Sequence, residues 1–218
     1  MNKRENGLIE KIKAAVTDHL VDEISDLTSS ALDAGLPVNE LRRSILEGLN
    51  TVRRNLMSNH TSLPEFLLCI DTATQGLAKL AEFGDAGDKE ALTIVIGVVE
   101  GDPHDLGKSI ITGVYRAYGY RVVDLGVQVK AEKFAHAVLE NKAQILALSA
   151  MMSTTMVCMP DIIRTVRQKC PETVIMVGGA PLDRQLAEKY GADGYAESAV
   201  TILEETVTAL EKTSSIRR

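Results

Sequence analysis

Past residue 90 the chain alternates short apolar runs with longer segments of helical periodicity, and this alternation constrains its fold more than any other feature. The runs cover residues 92–99, 121–125, 145–149, 174–177 and 192–196, and helical candidates cover 108–118, 131–141, 157–169, 183–190 and 198–211. Strands that alternate with helices pair in parallel through right-handed crossovers, and the helices then cover both faces of the sheet. The expected class is α/β, a doubly wound parallel five-stranded sheet. Ligands of such sheets bind beyond the carboxyl ends of the strands. That rule singles out residues 99–107, 126–130, 150–156 and 178–182.

Residues 8–83 have a different texture. Ile45, Leu49, Val52 and Leu56 recur at intervals of four, three and four, opposite Arg42, Arg43, Glu47, Arg53 and Arg54, which gives one apolar helix face. Ser62 and Glu65 have the spacing of a capping box, and Pro64 fits the first turn that follows. Phe66, Ile70, Ala73, Leu77 and Leu80 continue that helix's apolar face. A first helix over roughly 8–29 carries Ile12, Val16, Leu20, Ile24 and Leu27 in one phase, and Gly35-Leu36-Pro37 makes a stop and restart. None of these helices buries its stripe alone, so they are expected to form a four-helix domain over 1–83. A hinge over 84–90, opened by Gly84-Asp85-Ala86-Gly87-Asp88, then leads into the sheet domain over 91–218.

With 24 basic and 30 acidic residues, the formal net charge of -6 argues against a protein built around nucleic-acid phosphates. Cys69, Cys158 and Cys170 have neither a metal-ligand spacing nor the density of a disulfide framework. The opening Met-Asn-Lys-Arg-Glu-Asn is not followed by an apolar signal segment, and no later run approaches membrane-spanning length. The expectation is a cytoplasmic protein with neither nucleic acid nor membrane as partner.

The most informative loop is Asp102-Pro103-His104-Asp105-Leu106-Gly107, directly after the first apolar run. A histidine at the carboxyl edge of a strand is placed to ligate a metal, although isolated histidines also serve packing and hydrogen bonding. Three further segments fall on neighbouring loops: Asp124-Leu125-Gly126, Leu148-Ser149-Ala150-Met151-Met152-Ser153-Thr154-Thr155-Met156, and Gly178-Gly179-Ala180. In these motifs, with Gly101 and Lys108 flanking the first, the chain resembles cobalamin-binding corrinoid proteins of methyl-transfer systems. It is similar also to the cobalamin-binding module of methionine synthase. The resemblance covers nearly the whole chain and implies a flavodoxin-like sheet holding cobalamin or a related cobalt corrinoid.

By that resemblance His104 is the lower axial ligand of cobalt, in place of the cofactor's own base, and Asp102 accepts a proton bond from its other ring nitrogen. Thr155 extends this chain beyond Asp102, its methyl restricting the geometry relative to serine. Ser149 contacts the displaced nucleotide base, Met151 packs on the nucleotide tail, and Gly178 and Gly179 line the narrow section around that tail. Asp105 is expected to cap the following helix, Gly107 to permit the turn into it, and Lys108 to face the surface or an anion. Plainer roles stand beside these: a local cap for Thr155, a strand-to-helix turn for the two glycines, and core packing for Met152, Met156, Met159 and Cys158. Pro103 departs from the family's aliphatic residue and is expected to stiffen the loop while preserving the spacing. The amino-terminal helices resemble the domain that shields the upper corrin face, although the segment over 56–64 departs from the family's aromatic and glycine-containing pattern. His60 in that segment reads as a surface histidine.

The function so implied is that of a carrier with no catalytic residue of its own. It accepts a methyl group on cobalt from a donor-specific methyltransferase and presents it to an acceptor methyltransferase, with a reductive reactivation protein as a further partner. Two alternatives share the same loop: the cobalamin-binding subunit of a mutase, whose catalytic barrel this chain is too short to include, and a cobalamin-responsive interaction or sensor protein. A flavodoxin-like sheet without a corrinoid is the plainest reading of the fold alone.

Overall fold

The computed structural model describes residues 3–83, 92–199 and 201–216. They form two compact units, one of helices and one built on a sheet. The hinge expected over 84–90 lies outside the described residues.

The helical unit comprises α1 (Lys3–Thr17), α2 (Val21–Asp33), α3 (Val38–Met57) and α4 (Leu63–Glu82). The capping box opens α4: the Ser62 side chain accepts from the Glu65 amide, and the Glu65 carboxylate accepts from the Ser62 amide at 2.7 Å. Ile12, Val16, Ile24, Leu41, Ile45, Leu49, Phe66, Ala73 and Leu80 are fully buried or nearly so, and each large aliphatic contributes about 2 kcal/mol by leaving water. The helices meet closely at small residues. A Cβ on Gly48 would stand 2.9 Å from the Lys13 carbonyl oxygen and from Val16 Cβ, so a larger side chain would push α3 away from α1.

The single helix expected over 8–29 is two helices. The chain turns at residues 18–20, where His19 adopts a left-handed φ of 47° and Leu20 is 38% exposed. Val16 and Ile24 remain buried on either side, so a stripe with four-residue spacing runs through a turn that no glycine or proline marks. Leu20 belongs to the turn and not to the core.

The second unit is a five-stranded parallel sheet in the order β2-β1-β3-β4-β5. Its strands are β1 (Thr93–Val98), β2 (Arg121–Asp124), β3 (Ile145–Ser149), β4 (Val174–Gly178) and β5 (Gly194–Ala196). The helices are α5 (Leu106–Ala117), α6 (Ala131–Glu140), α7 (Ser153–Met156), α8 (Met159–Lys169), α9 (Arg184–Tyr190) and α10 (Ile202–Ile216). This is the expected doubly wound, flavodoxin-like arrangement, with α7 as an added short turn of helix. Phe134, Ala135 and Val138 of α6 share one core with Met159, Ile162 and Val166 of α8 and with Val95, Leu146 and Ile175 of the sheet.

Two features of the sheet prepare a binding site. Strand order reverses between β1 and β3, which leaves a crevice beyond their carboxyl ends. The register also aligns Val98, Ser149, Gly178 and Ala196 in one row. The loops that follow these residues therefore leave the sheet at the same level.

Candidate functional site

The site begins where β1 ends. Val99 donates its amide to the Ser149 carbonyl at 3.0 Å, Gly101 turns the chain at φ 80°, and the Asp102 amide returns to the Val99 carbonyl at 3.2 Å. A left-handed φ of this kind favours glycine. The turn brings Asp102 beneath the end of the sheet, where it is fully buried.

Its carboxylate accepts five hydrogen bonds. Oδ1 receives the His104 ring Nδ1–H at 2.8 Å and the His104 backbone N–H at 3.1 Å. Oδ2 receives the backbone N–H of Met151 at 2.7 Å, that of Met152 at 3.2 Å, and the Thr155 hydroxyl at 2.7 Å. Burial alone would raise the carboxyl pKa, but the bonds from Thr155, Met151 and His104 together outweigh it and hold the group well below the usual carboxylate range. Asp102 is therefore an acceptor without a proton of its own.

That state decides the tautomer of His104. With a carboxylate facing Nδ1, the neutral ring carries its hydrogen on Nδ1, and the lone pair is then on Nε2. The side chain is 54% exposed. Asp102 Oδ1 thus grips the ring and the backbone of His104 together, and Pro103 between them restricts the turn through its fixed φ. A neutral imidazole held this way can bind a metal through Nε2, its second nitrogen being already engaged.

Thr155 lies buried in α7. Its hydroxyl oxygen is 2.7 Å from Asp102 Oδ2 and 3.0 Å from the Met152 carbonyl, and its one proton goes to the nearer, charged acceptor. Ser149 ends β3 half-buried, and its hydroxyl has no hydrogen-bond partner among the described residues. Met151 is 42% exposed, whereas Met159 is buried and Met156 and Cys158 pack against the core. Met152 is half-buried.

The two glycines after β4 answer first to the protein's own backbone. A Cβ on Gly179, whose φ is 132°, would stand 1.7 Å from the Ala150 carbonyl oxygen, and one on Gly178 would stand 2.9 Å from that of Ala196. Both residues let the end of β4 approach its neighbours.

Two expectations need correction, and a third is half met. Gly107 does not make the turn into α5: it lies inside the helix, and a Cβ there would meet open space. The glycine with a left-handed φ is Gly101, in the turn that leaves β1. Asp105 is exposed and supplies its carbonyl to the Ser109 amide at 2.8 Å, but its carboxylate has no hydrogen-bond partner among the described residues. Lys108 faces an anion, the second of the two roles expected of it, and not the surface. It is 4% exposed, and its ammonium lies 2.5 Å from Asp124 Oδ2, while Asp124 Oδ1 accepts the Gly126 amide at 2.9 Å. The signal was present, because 108, 112 and 115 share the helical phase of Thr112 and Tyr115, both of which are buried. His60 is exposed, as expected.

The donor set limits what can bind. Among the described residues no group of three or more His, Cys, Asp or Glu side chains is placed to hold a metal ion. A single histidine nitrogen oriented by a carboxylate is a donor that suits a metal already held by a macrocycle such as a corrin. Leu106, Val127, Met151 and Val157 are exposed in the segments that follow β1, β2 and β3. Apolar side chains at this end of a sheet suit a broad, largely apolar ring. The residues present thus fit a corrin by both donor chemistry and polarity.

Comparison with known proteins agrees in class. Residues 92–204 match the B12 binding domain. Over 200 residues the chain is 32% identical to a corrinoid protein of Desulfitobacterium hafniense, covering 88% of this chain and 93% of the relative. Over 215 residues it is 34% identical to a trimethylamine corrinoid protein of Methanosarcina mazei, covering 96% and 99%. A chain of the methanol:cobalamin methyltransferase complex from Methanosarcina barkeri matches with a TM-score of 0.81 at 28% identity, covering 96% of this chain and 79% of that one. A cobalamin-binding protein from Desulfitobacterium hafniense shares the fold with a TM-score of 0.74 at 21% identity, covering 94% and 98%.

Proposed function

Because the chain belongs to the B12-binding corrinoid proteins related to the carriers of methyltransferase systems, we propose that it receives a methyl group from one methyltransferase and presents it to another. The observation that carries the site assignment is the buried Asp102 carboxylate, which holds His104 by ring Nδ1 and backbone while the side chain stays half exposed. In this reading His104 would hold the cobalt through Nε2. Bound cobalt would supply the chemistry, accepting and releasing the methyl group, and the protein would supply ligation and orientation.

The residues around His104 divide the remaining work. Asp102 keeps the ring proton on Nδ1 and stabilises the imidazolium that forms if a released His104 takes up a proton at Nε2. Thr155 holds Asp102 in place through its hydroxyl. The unpartnered Ser149 hydroxyl is assigned to the displaced nucleotide base, and Met151 supplies apolar contact to the nucleotide tail. Gly178 and Gly179, pressed against the Ala196 and Ala150 carbonyls, are assigned to line that passage with bare backbone.

The carrier is a non-autonomous subunit, so the methyl donor is selected by its partner enzyme. The named relatives point to a methylamine or methanol methyltransferase as that partner. An acceptor methyltransferase and a reductive reactivation protein complete the proposed set. Full-length protein incubated with hydroxocobalamin and desalted is expected to retain corrin absorption and stoichiometric cobalt, and His104→Ala to show a changed axial-ligand spectrum. Loss of all corrin and cobalt on desalting would overturn the corrinoid assignment, and an unchanged spectrum in His104→Ala would overturn the ligand.

A further inference from the structure

Lys108 lies in the first turns of α5, four residues after His104, and is 4% exposed. A buried ammonium is costly unless it is paired, and even a paired one is seldom more stabilising than apolar side chains of similar size. Stability alone therefore gives a weak account of this lysine. Its partner Asp124 ends β2, opposite Ile96 of β1.

The surroundings of Asp124 suggest another role. Asp124 Oδ1 holds the Gly126 amide at 2.9 Å, in a residue whose φ of 80° shapes the loop. The Gly126 carbonyl accepts the Val98 amide at 3.0 Å, and the Val129 amide donates to the Val98 carbonyl at 2.9 Å. This loop is thus fastened to the last residue of β1. The segment that carries His104 is then closed at both ends, by the Asp102 amide on Val99 at its start and by Lys108 on Asp124 at its finish.

We propose that Lys108 and Asp124 are positioning residues that hold His104 toward the cofactor by fixing where α5 begins. This rests on the corrinoid reading of His104. The two members of the pair are unequal, since the Asp124 side chain is 26% exposed. Removing the carboxylate strands a buried ammonium, whereas removing the ammonium leaves a carboxylate that water reaches. Asp124→Asn is therefore the more disruptive change.

The test compares full-length Lys108→Met and Asp124→Asn with Arg167→Met. The control breaks the Arg167–Asp193 pair, which holds the amino-terminal edge of the sheet through the Ile175 amide and the Thr173 carbonyl. Two readouts are taken: hydrogen exchange at the amides of His104, Met151 and Met152 in cofactor-free protein, and hydroxocobalamin affinity by equilibrium dialysis. Lys108→Met is expected to accelerate exchange and weaken binding about tenfold each, and Asp124→Asn to do more, by loosening the support of a ligand residue. Arg167→Met is expected to lower the unfolding midpoint while leaving both readouts near wild type.

The proposal is overturned if Arg167→Met shifts both readouts as far as Lys108→Met does. It is overturned also if either readout stays at the wild-type value in both Lys108→Met and Asp124→Asn. Failure of the wild type to bind hydroxocobalamin would instead defeat the corrinoid reading. The exchange measurement would still report whether the pair holds His104.

Discussion

Asp102 binds His104 twice through a single atom, Oδ1 accepting the ring Nδ1–H at 2.8 Å and the backbone N–H at 3.1 Å. A residue tethered at two points cannot rotate its ring without breaking a charge-assisted bond. Its orientation is set before any ligand arrives.

Asp102→Asn should show what this arrangement contributes. An amide has one acceptor oxygen where the carboxylate has two, so its NH2 group must confront either the His104 donors or those of Met151, Met152 and Thr155. The expected loss is about 3 kcal/mol of unfolding free energy and roughly 10–100-fold in hydroxocobalamin affinity. Urea denaturation and equilibrium dialysis measure the two effects separately, and near-wild-type values in both would contradict the five-bond description.

The same carboxyl makes a pH prediction. Its pKa is depressed in the folded protein, while in the denatured chain it titrates near 4. Between those values the denatured state binds the extra proton, so stability rises with pH across that window. The stability gap between wild type and Asp102→Asn should be complete above about pH 5 and shrink as the pH falls through the window. Urea midpoints from pH 7 to pH 3 check the sign; a gap that widens in acid would be the wrong one.

A second buried pair tests the packing of α5 on α10. Thr206 Oγ1 donates its one proton to the Ile202 carbonyl at 2.7 Å, so in the 2.7 Å contact with Tyr115 the phenol must be the donor. Both side chains are fully buried. Thr206→Val strands the phenol hydrogen and should cost about 1–3 kcal/mol, whereas Tyr115→Phe removes the donor and should cost about 1 kcal/mol. Thermal unfolding of the two variants gives the order directly, and the reverse order would mean that the donor had been assigned wrongly.

In the helical unit, Cys69 is almost fully buried, with Sγ 3.7 Å from the Thr17 carbonyl oxygen, and burial pushes its thiol up to about 11. At pH 8 roughly one thiol in a thousand would be ionised, so alkylation should run about two orders of magnitude slower than in urea-unfolded protein. The rate should climb with pH. Site-resolved mass spectrometry after iodoacetamide treatment distinguishes Cys69 from the half-buried Cys158 and Cys170; equal labelling of Cys69 in native and unfolded protein would contradict the packing.

Most of the architecture was legible because apolar spacing reports which face of an element is buried. The five runs become five strands, and β3 spans 145–149 as read. Spacing is blind to a turn that preserves phase, so the break at residues 18–20 leaves no mark in it: His19 takes a left-handed conformation without glycine. At the site, Asp102, His104 and Thr155 come together as their motifs suggested. The pairing of Lys108 with Asp124 was not legible, because sixteen residues and a strand crossing separate them. Gly107 and Gly101 look alike in a sequence, and only the backbone angle tells which of them is left-handed.

Two of the donors to Asp102 are backbone amides of residues 151 and 152, on the loop after β3. Their contribution does not depend on which side chains those residues carry, provided neither is proline. The exposed side chain of Met151 is thus available for redesign toward a differently shaped ligand, while the same residue's amide keeps the histidine in place. Ligand selectivity and metal ligation can change separately here, because they are written in different atoms of one short loop.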